Sequence, residues 1–283
     1  MKSKKKLIGI LSFVIILLVG WITWGNSALM VNEFIIENDK IPESFRGFRI
    51  AQISDLHNAE FGDENEKLIS MLKECKPDII VITGDLVDSR RTDIEVSVSF
   101  AKEAVLIAPV YYVTGNHESR IPEYEDLKKG LEETGVRVME NESILLEQSE
   151  ETIILAGVED PCFGADYLFE SEKEVLENNL SDLINDEQRF IILLSHRPEY
   201  FDVYADNNVD LVFCGHAHGG QFRLPFIGGV IAPNQGLFPK YDAGLYTKEN
   251  TDMIVSRGIG NSILPFRVNN RPEIILVELQ CNR

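Results

Sequence analysis

The sequence predicts an α/β fold: a layered αββα sandwich of two mixed β-sheets flanked by helices, preceded by one N-terminal transmembrane helix. Short buried apolar runs alternate with amphipathic stretches from residue 48 to residue 134, and the same pattern recurs less regularly afterwards. An uncharged apolar run occupies the start of the chain. Hydrophobic residues make up 44% and charged residues 26%, a balance typical of a globular protein with a buried core.

The N-terminal segment has the composition of a membrane anchor. No residue from Leu7 to Asn32 is charged, and residues 7–24 are almost wholly apolar. As a helix they would be about 27 Å long, close to the hydrocarbon thickness of a bilayer. Trp21 and Trp24 lie where an interfacial aromatic belt is expected. The lysines within residues 1–6 indicate a cytoplasmic N-terminus. We predict a single-pass cell-membrane protein whose remaining chain lies outside the cytoplasm.

Two alternatives for this segment are a cleaved signal peptide and a buried core helix. The apolar run is long for a signal peptide, and Asn-Ser-Ala at 26–28 is a poor cleavage site. We therefore expect an uncleaved anchor. The predicted organisation is a basic stub at 1–6, an anchor at 7–24, a linker at 25–47 with one short strand at 34–37, and one domain at 48–283.

The first half of the domain reads as strand, helix, strand, helix, strand. This order implies parallel crossovers and a sheet covered on both faces. The second half continues with further strands and helices, and residues from 219 onward read as strands and loops. The predicted strands are 48–53, 79–82, 110–113, 143–148, 152–158, 190–195, 209–214 and 273–279, and the predicted helices are 63–75, 93–107, 123–134, 170–184 and 198–205.

The charge and cysteine content exclude several classes of function. The formal net charge is −19, and residues 7–283 carry 23 basic against 46 acidic side chains. This field repels nucleic-acid phosphates, so we expect no nucleic-acid partner. The four cysteines are too widely spaced for a zinc ribbon or a disulfide framework. No nucleophile elbow, P-loop or dinucleotide-binding glycine motif is present. No segment indicates an oligomeric state.

Residue types that commonly bind metal ions follow five of the predicted strands. The segments are Ser-Asp-Leu-His at 54–57, Thr-Gly-Asp-Leu-Val-Asp at 83–88, Thr-Gly-Asn-His-Glu at 114–118, His196, and Gly-His-Ala-His at 215–218, and they hold all five histidines of the chain. Strand ends of this kind converge in α/β sheets. Asp-x-His in a strand would place both side chains on one face. Carboxylates, imidazoles and an amide oxygen suit divalent ions such as Mn²⁺, Fe²⁺ and Zn²⁺. Taken singly, each such residue is more often a capping or surface residue.

These motifs, in this order, resemble the calcineurin-like metallophosphoesterase family over roughly residues 48–280. The resemblance implies two divalent ions and a catalytic His117 that contacts the substrate. It implies that one ion is bound by Asp55, His57, Asp85 and His218, and the other by Asp85, Asn116, His196 and His216. The sequence departs from the family at Ser89, where an arginine is expected; Arg90 and Arg91 follow it.

Three residues beside the motifs have open interpretations. Asp88 and Glu118 are candidates to orient imidazoles, although Asp88 is also placed to cap the following turn. Arg197 is a candidate to bind substrate phosphate or to pair with an acidic side chain.

Three segments, at 195–199, 215–221 and 256–262, resemble a small membrane-associated bacterial branch of the family. Some of its members cleave the pyrophosphate of UDP-2,3-diacylglucosamine in lipid A synthesis. The resemblance implies a membrane-anchored phosphohydrolase acting on a phosphodiester or pyrophosphate of a lipid-linked small molecule. Alternatives are a metal-binding module without catalysis, which His117 argues against, and a phosphodiesterase for soluble nucleotides. The net charge disfavours a nuclease. The apolar segment 224–237 is either a lipid-facing lip or a packed loop.

Overall fold

A computed structural model describes residues 2–165, 170–184, 188–261 and 264–282. Ser262, the last residue of the late motif at 256–262, lies outside these ranges. The helices are α1 (Lys2–Ser27), α2 (Glu66–Glu74), α3 (Ile94–Ala104), α4 (Tyr124–Thr134), α5 (Glu172–Leu183) and α6 (Phe201–Asp206). The strands are β1 (Met30–Asn38), β2 (Arg49–Ile53), β3 (Ile79–Thr83), β4 (Val110–Val113), β5 (Arg137–Val138), β6 (Glu142–Gln148), β7 (Glu151–Gly157), β8 (Ile191–Leu194), β9 (Leu211–Cys214), β10 (Arg223–Leu224), β11 (Gly228–Gly229), β12 (Ile231–Ala232), β13 (Gly236–Leu237), β14 (Gly244–Lys248), β15 (Thr251–Val255) and β16 (Glu273–Cys281).

The first six-stranded sheet has the order β1-β16-β2-β3-β4-β5. Strands β2 to β5 are parallel, as the alternation of strands and helices in the first half of the domain predicts. The C-terminal strand β16 lies antiparallel to β2 and parallel to β1. Parallel neighbours place the carboxyl ends of β2, β3 and β4 at one edge of the sheet.

The second six-stranded sheet has the order β14-β15-β9-β8-β7-β6. Its four central strands are parallel, and its two outer strands are antiparallel to their neighbours. Strands β14 and β15 form a hairpin. They lie in the C-terminal region for which the sequence predicts only unspecified strands and loops. The chain therefore has two mixed sheets with helices, which confirms the predicted α/β class.

Three apolar clusters stack the two sheets and their helices in layers. Between the sheets, Ile50 and Val81 of the first pack in one buried cluster with Leu155, Ile192 and Phe213 of the second. The opposite face of the first sheet is covered by α2, α3 and α4. The opposite face of the second sheet is covered by α5 and α6. Period-two alternation along β2 accounts for this division, since Ile50 faces the middle layer and Ala51 faces the helices.

The N-terminal helix continues almost directly into the first sheet. By length and composition its residues Lys4–Ser27 could cross a membrane, and none of that apolar stretch is buried. Strand β1 begins at Met30 and pairs with β16 from Met30 opposite Glu273 to Asn38 opposite Cys281. The segment 25–47, expected to be mainly linker, thus supplies a nine-residue edge strand. Its pairing partner lies at the far end of the chain, so local sequence gives little sign of it.

Candidate metal centre

The predicted metal ligands converge in the turns that follow β2, β3, β4, β8 and β9. All seven are buried: Asp55, His57, Asp85, Asn116, His196, His216 and His218. Two groups of three have ligand atoms within 4.8 Å of one another, namely Asp55 with His57 and His218, and Asp85 with His196 and His216. A third group of the same size joins His57, Asp85 and His117. The centre therefore lies where the carboxyl ends of both sheets meet.

Asp85 lies between the two groups. In the first group, Nε2 of His218 is 3.3 Å from Oδ1 of Asp55 and 3.1 Å from Nε2 of His57. In the second group, Nε2 of His196 is 3.2 Å from Nδ1 of His216. Oδ2 of Asp85 is 3.6 Å from Nε2 of His57 and 3.3 Å from Nε2 of His196. One carboxylate oxygen thus faces ligand nitrogens of both groups.

The hydrogen bonds around the imidazoles direct their Nε2 atoms towards the centre. Nδ1 of His196 lies 2.7 Å from the carbonyl oxygen of Thr83, and Nδ1 of His57 lies 3.2 Å from that of Val87. Each Nδ1 therefore carries a hydrogen, and each Nε2 is the nitrogen available to a metal ion. Backbone carbonyls commonly fix metal-binding histidines in this tautomer.

The electrostatics of the centre favour a bound cation. Burial raises the pKa of Asp55 to about 6, so the carboxylate is costly without a positive partner. Burial opposes protonation of His196, but Asp85 beside it raises the pKa of His196 to about 10. Among the described residues, the buried Oδ1 of Asn116 has no hydrogen-bond partner. These donors fit divalent metal ions, because carboxylate, imidazole and amide oxygen ligands are typical of sites for such ions.

The backbone at the ligands is left-handed rather than extended. Positive φ angles occur at Asp55 (52°), His57 (47°), Asp85 (52°), His216 (65°) and His218 (49°). Each such non-glycine residue costs of order 1–3 kcal/mol and is typical of functional sites. The expectation that Asp-x-His shares a strand face is therefore wrong, because β2 ends at Ile53 before the first pair. Successive left-handed turns, not strand periodicity, direct both side chains to the centre.

Gly215 permits the close approach of β9 to the first motif. A Cβ atom there would lie 1.9 Å from Oγ of Ser54 and 2.4 Å from Oδ2 of Asp55. The backbone N–H of the next residue, His216, donates to both carboxylate oxygens of Asp55 at 3.1 Å. The glycine thus lets one strand end hold a ligand that belongs to the other sheet.

His117 lies beside the centre with one nitrogen already engaged. Its Nδ1 accepts the backbone N–H of Ser89 at 2.9 Å and lies 3.1 Å from Oγ of Ser89. Burial lowers the pKa of His117, so the neutral ring carries its hydrogen on Nε2. The position where the family has an arginine therefore serves here to set the tautomer of the predicted catalytic histidine.

Glu118 and Asp88 contact backbone and arginines more than imidazoles. Glu118 is buried, and its carboxylate accepts N–H groups of Asp85 (2.9 Å), Val87 (3.3 Å) and Gly115 (2.7 Å). It therefore ties together the two turns that carry Asp85 and Asn116, which differs from the predicted orientation of an imidazole.

Asp88 accepts hydrogen bonds from the backbone N–H of Arg90 at 3.0 Å and from Nη2 of Arg91 at 3.2 Å. Its Oδ1 is 3.8 Å from Nδ1 of His117. Although burial opposes ionisation, the bonds from Arg90 and Arg91 lower the pKa of Asp88 to about 2. The capping interpretation of Asp88 is the one that these contacts support.

Arg197 is engaged in a buried ion pair. Its guanidinium is almost fully enclosed, and Nη2 donates to Oδ1 of Asp160 at 2.9 Å while Nε donates to Oδ2 of the same residue. Of its two interpretations, pairing with an acid is therefore favoured over phosphate binding. Asp160 carries no recognisable signal in the sequence, because nothing near it in the chain indicates its partner.

Glu199 is a further residue that sequence reasoning missed. Its Oε1 lies 3.9 Å from Nε2 of His216, and burial raises the pKa of Glu199. The available signal in the sequence was its position, three residues after the predicted ligand His196.

Comparison with known proteins places this geometry in context. A family model described as calcineurin-like phosphoesterase matches residues 48–220. An uncharacterized metallophosphoesterase of Bacillus subtilis, YkuE, is 32% identical over 88% of this chain and 84% of its own length. The phosphodiesterase YaeI of Escherichia coli is 28% identical over 82% of each chain. A Danio rerio transmembrane protein with a metallophosphoesterase domain is 28% identical over 86% of this chain but only 55% of its own.

Proposed function

Because this chain belongs to the calcineurin-like phosphoesterase family and is a metal-dependent phosphoester hydrolase, we propose that it cleaves a phosphodiester or pyrophosphate bond at a two-metal centre. The observation that carries the proposal is the position of Asp85, whose Oδ2 faces ligand nitrogens of both groups. One ion would be held by Asp55, His57, Asp85 and His218, and the other by Asp85, Asn116, His196 and His216. This donor set suits Mn²⁺, Fe²⁺ or Zn²⁺.

The chain's own residues supply positioning and a hydrogen-bond donor. Two divalent ions held at such a centre would activate water and neutralise charge on the phosphoryl oxygens. Nε2–H of His117 is free to donate a hydrogen bond to the leaving oxygen and to stabilise the charge that develops there, because its Nδ1 accepts the backbone N–H of Ser89. Glu118 keeps the Asp85 and Asn116 turns at a fixed separation through three backbone N–H groups.

We further propose that α1 anchors the enzyme in the cell membrane, with the metal centre outside the cytoplasm. Support comes from the unburied apolar helix, the lysines that precede it and the transmembrane relative. The anchor favours a substrate that lies in the membrane with the enzyme. A domain with 23 basic and 46 acidic side chains repels anionic lipids, so its charge alone would not bring it to such a substrate. Tethering to the membrane would instead keep enzyme and substrate close together.

A lipid-bearing phosphodiester or pyrophosphate is therefore the proposed substrate class. UDP-2,3-diacylglucosamine is the leading named candidate, by resemblance alone. Orientation counts against it, because sugar-nucleotide lipids are made in the cytoplasm and this centre is expected outside. The competing proposals are hydrolysis of soluble nucleotide diesters and metal binding without catalysis.

The test of the proposed chemistry uses the full-length chain in detergent with bis-(p-nitrophenyl) phosphate as substrate. We expect a chelator to abolish hydrolysis and Mn²⁺ to restore it. Hydrolysis that persists after complete chelation would overturn the two-metal proposal. Stoichiometric metal binding with no hydrolysis of any phosphodiester or phosphomonoester in a panel would instead favour the non-catalytic module.

A further inference from the structure

Two short hairpins after His218 expose an unusual amount of apolar surface. Residues 224–239 contain no charged side chain, although the whole chain has a net charge of −19. Strands β10 and β11 form the first hairpin, and β12 and β13 form the second. Phe226 at the first tip is fully exposed, and Ile227, Leu237 and Phe238 are each at least 60% exposed. We call residues 224–238 the apolar lip. Exposed apolar patches of this kind mark protein or membrane contacts.

The apolar lip adjoins the end of α1. Arg223, at the base of the lip, donates its backbone N–H to the carbonyl of Val268 at 3.0 Å. The preceding residue of that segment, Arg267, donates its backbone N–H to Oδ1 of Asn26 at 2.7 Å and accepts from Nδ2 of Asn26 at 2.9 Å. Phe222 and Phe266 also pack together, with ring centroids 5.6 Å apart. The segment at Arg267 and Val268 is therefore hydrogen-bonded both to the base of the apolar lip and to the end of α1.

The helix end has the side chains expected at the headgroup level of a bilayer. Arg271 donates to the carbonyl oxygens of Ala28 and Leu29, and its guanidinium lies 5.0 Å from the Trp24 ring centroid. A cavity of about 220 Å³ at this junction is lined by Trp21, Trp24 and three arginines, 257, 267 and 271. Tryptophan is typical of the membrane–water interface, and the partly exposed Arg271 beside Trp24 is placed to meet lipid phosphates, whereas Arg267 is buried and donates to the backbone carbonyls of Arg257 and Gly260.

We propose that the apolar lip inserts into the leaflet in which α1 ends, so that the bilayer itself is the partner of this surface. The proposal rests on the membrane anchoring in the proposed function. Because hydrogen bonds join the helix end to the base of the lip, the membrane surface that receives the helix lies beside the lip, and insertion would bury the exposed side chains Phe226 and Phe238. Amphipathic elements at such interfaces bury their apolar side chains about 5–10 Å into the headgroup and acyl boundary.

Insertion of the lip would fix the metal centre at the membrane surface. The N–H of Val230 in the lip donates to the carbonyl of Gly220 at 3.1 Å, two residues after the ligand His218. A Cβ atom on Gly220 would lie 2.3 Å from Cα of Gly229, so the turn and the lip are in close backbone contact. The lip and the turn that carries His218 are therefore in direct contact, so insertion of the lip would hold the metal centre near the headgroups of that leaflet.

The experiment measures the depth of fluorophores in membranes. Full-length chain carrying Cys162→Ser, which removes the half-buried cysteine, receives one further change, Phe226→Cys, Phe238→Cys, Leu106→Cys or Ile16→Cys. Each is labelled with an environment-sensitive dye and reconstituted into vesicles of phosphatidylcholine and phosphatidylglycerol with nitroxides at two acyl depths. Leu106 is the matched control, an exposed leucine after α3.

We expect quenching at positions 16, 226 and 238, with the two lip positions about 5–10 Å deep, and none at position 106. Quenching at 16 without quenching at 226 and 238 would overturn the lip proposal and leave the anchor intact. Absence of quenching at 16 would overturn the anchor and the lip proposal together. Cross-linking between lip positions of two chains, without quenching there, would assign the surface to a second copy and overturn the proposal.

Discussion

At the scale of single residues, Asp85 is the side chain on which both candidate metal positions depend. We expect Asp85→Asn to lose both ions, because a neutral amide cannot supply the shared charge that faces His57 and His196. Turnover should fall by at least about 10²–10³-fold, the loss seen when one charge-stabilising donor is removed. Metal analysis per chain and a hydrolysis assay provide the measurement.

A matched control for this substitution is Asp210→Asn. Asp210 is also buried, but it pairs with Lys40 and accepts the N–H of Ile191. That variant should retain its metal. If Asp85→Asn keeps both ions while losing rate, the bridging role assigned to Asp85 is wrong.

His117 is predicted to act on the substrate rather than on the metals. We expect His117→Asn to keep metal content while kcat falls by about 10²–10³-fold, the usual loss when one donor that stabilises developing charge is removed. Ser89→Ala is the control, because Nδ1 of His117 keeps the backbone N–H at 2.9 Å and loses only the hydroxyl at 3.1 Å. Stoichiometric loss of metal from His117→Asn would show that this imidazole is a ligand.

The identities of the site residues could be predicted from sequence better than their surroundings. Five motifs in order predicted the residues that the structure brings together. Their left-handed backbone could not be predicted, because φ at Asp55 or His216 depends on packing between two sheets. The partner of Arg197 was equally hidden, since Asp160 lies 37 residues away in sequence. Local patterns specify which chemistry is present, whereas long-range contacts decide what each side chain touches.

At the scale of secondary-structure elements, the strand ends must approach more closely than a side chain would allow. We expect Gly215→Ala to weaken metal binding and to destabilise the fold by about 1–3 kcal/mol, since its Cβ would overlap Ser54 and Asp55. Thermal unfolding with and without Mn²⁺, together with metal analysis, measures both effects.

Gly135→Ala separates this steric effect from backbone strain. Gly135 ends α4 with φ +100°, and a Cβ there would meet nothing within 4 Å. Its substitution should cost stability through the left-handed conformation alone and leave metal content unchanged. Equal metal loss in both variants would contradict the close-approach argument.

Elements with strong local periodicity were predictable, and elements defined by distant pairing were not. Helices α2, α3 and α4 and strands β2, β3 and β4 follow the predicted order because their apolar spacing is visible in the chain. Strand β1 was underestimated, because it is an edge strand that pairs with residues more than 240 positions away. The hairpin β14–β15 lies in a region without clear alternation, where its parallel neighbour β9 determines its position.

At the scale of the whole molecule, the connection between α1 and β1 is much shorter than the linker that the sequence suggested at 25–47. Only two residues separate the end of the helix from the start of the sheet. Contacts of Asn26 and Arg271 further join the helix end to the folded domain. Backbone pairing and hydrogen bonds therefore join the catalytic domain directly to α1, so the proposed anchoring would hold the domain close to the bilayer and give the metal centre a defined position relative to it.

This placement predicts a preference for lipid-linked substrates. A lipid-bearing phosphoester shares the plane of the anchored enzyme, and effective concentration in such an arrangement raises apparent affinity by about 10²–10⁴-fold without any new contact at the metals. We expect kcat/KM for UDP-2,3-diacylglucosamine in detergent micelles to exceed the values for UDP-glucose and for a simple nucleotide diester. His117→Asn is the control, since it should lower all three values in proportion if the same centre acts on each. Equal kcat/KM for lipidated and unlipidated substrates would contradict the lipid assignment and favour soluble nucleotides. A preference for another lipid phosphodiester over the sugar nucleotide would keep the substrate class and replace the named candidate, in agreement with the proposal that the metal centre faces away from the cytoplasm.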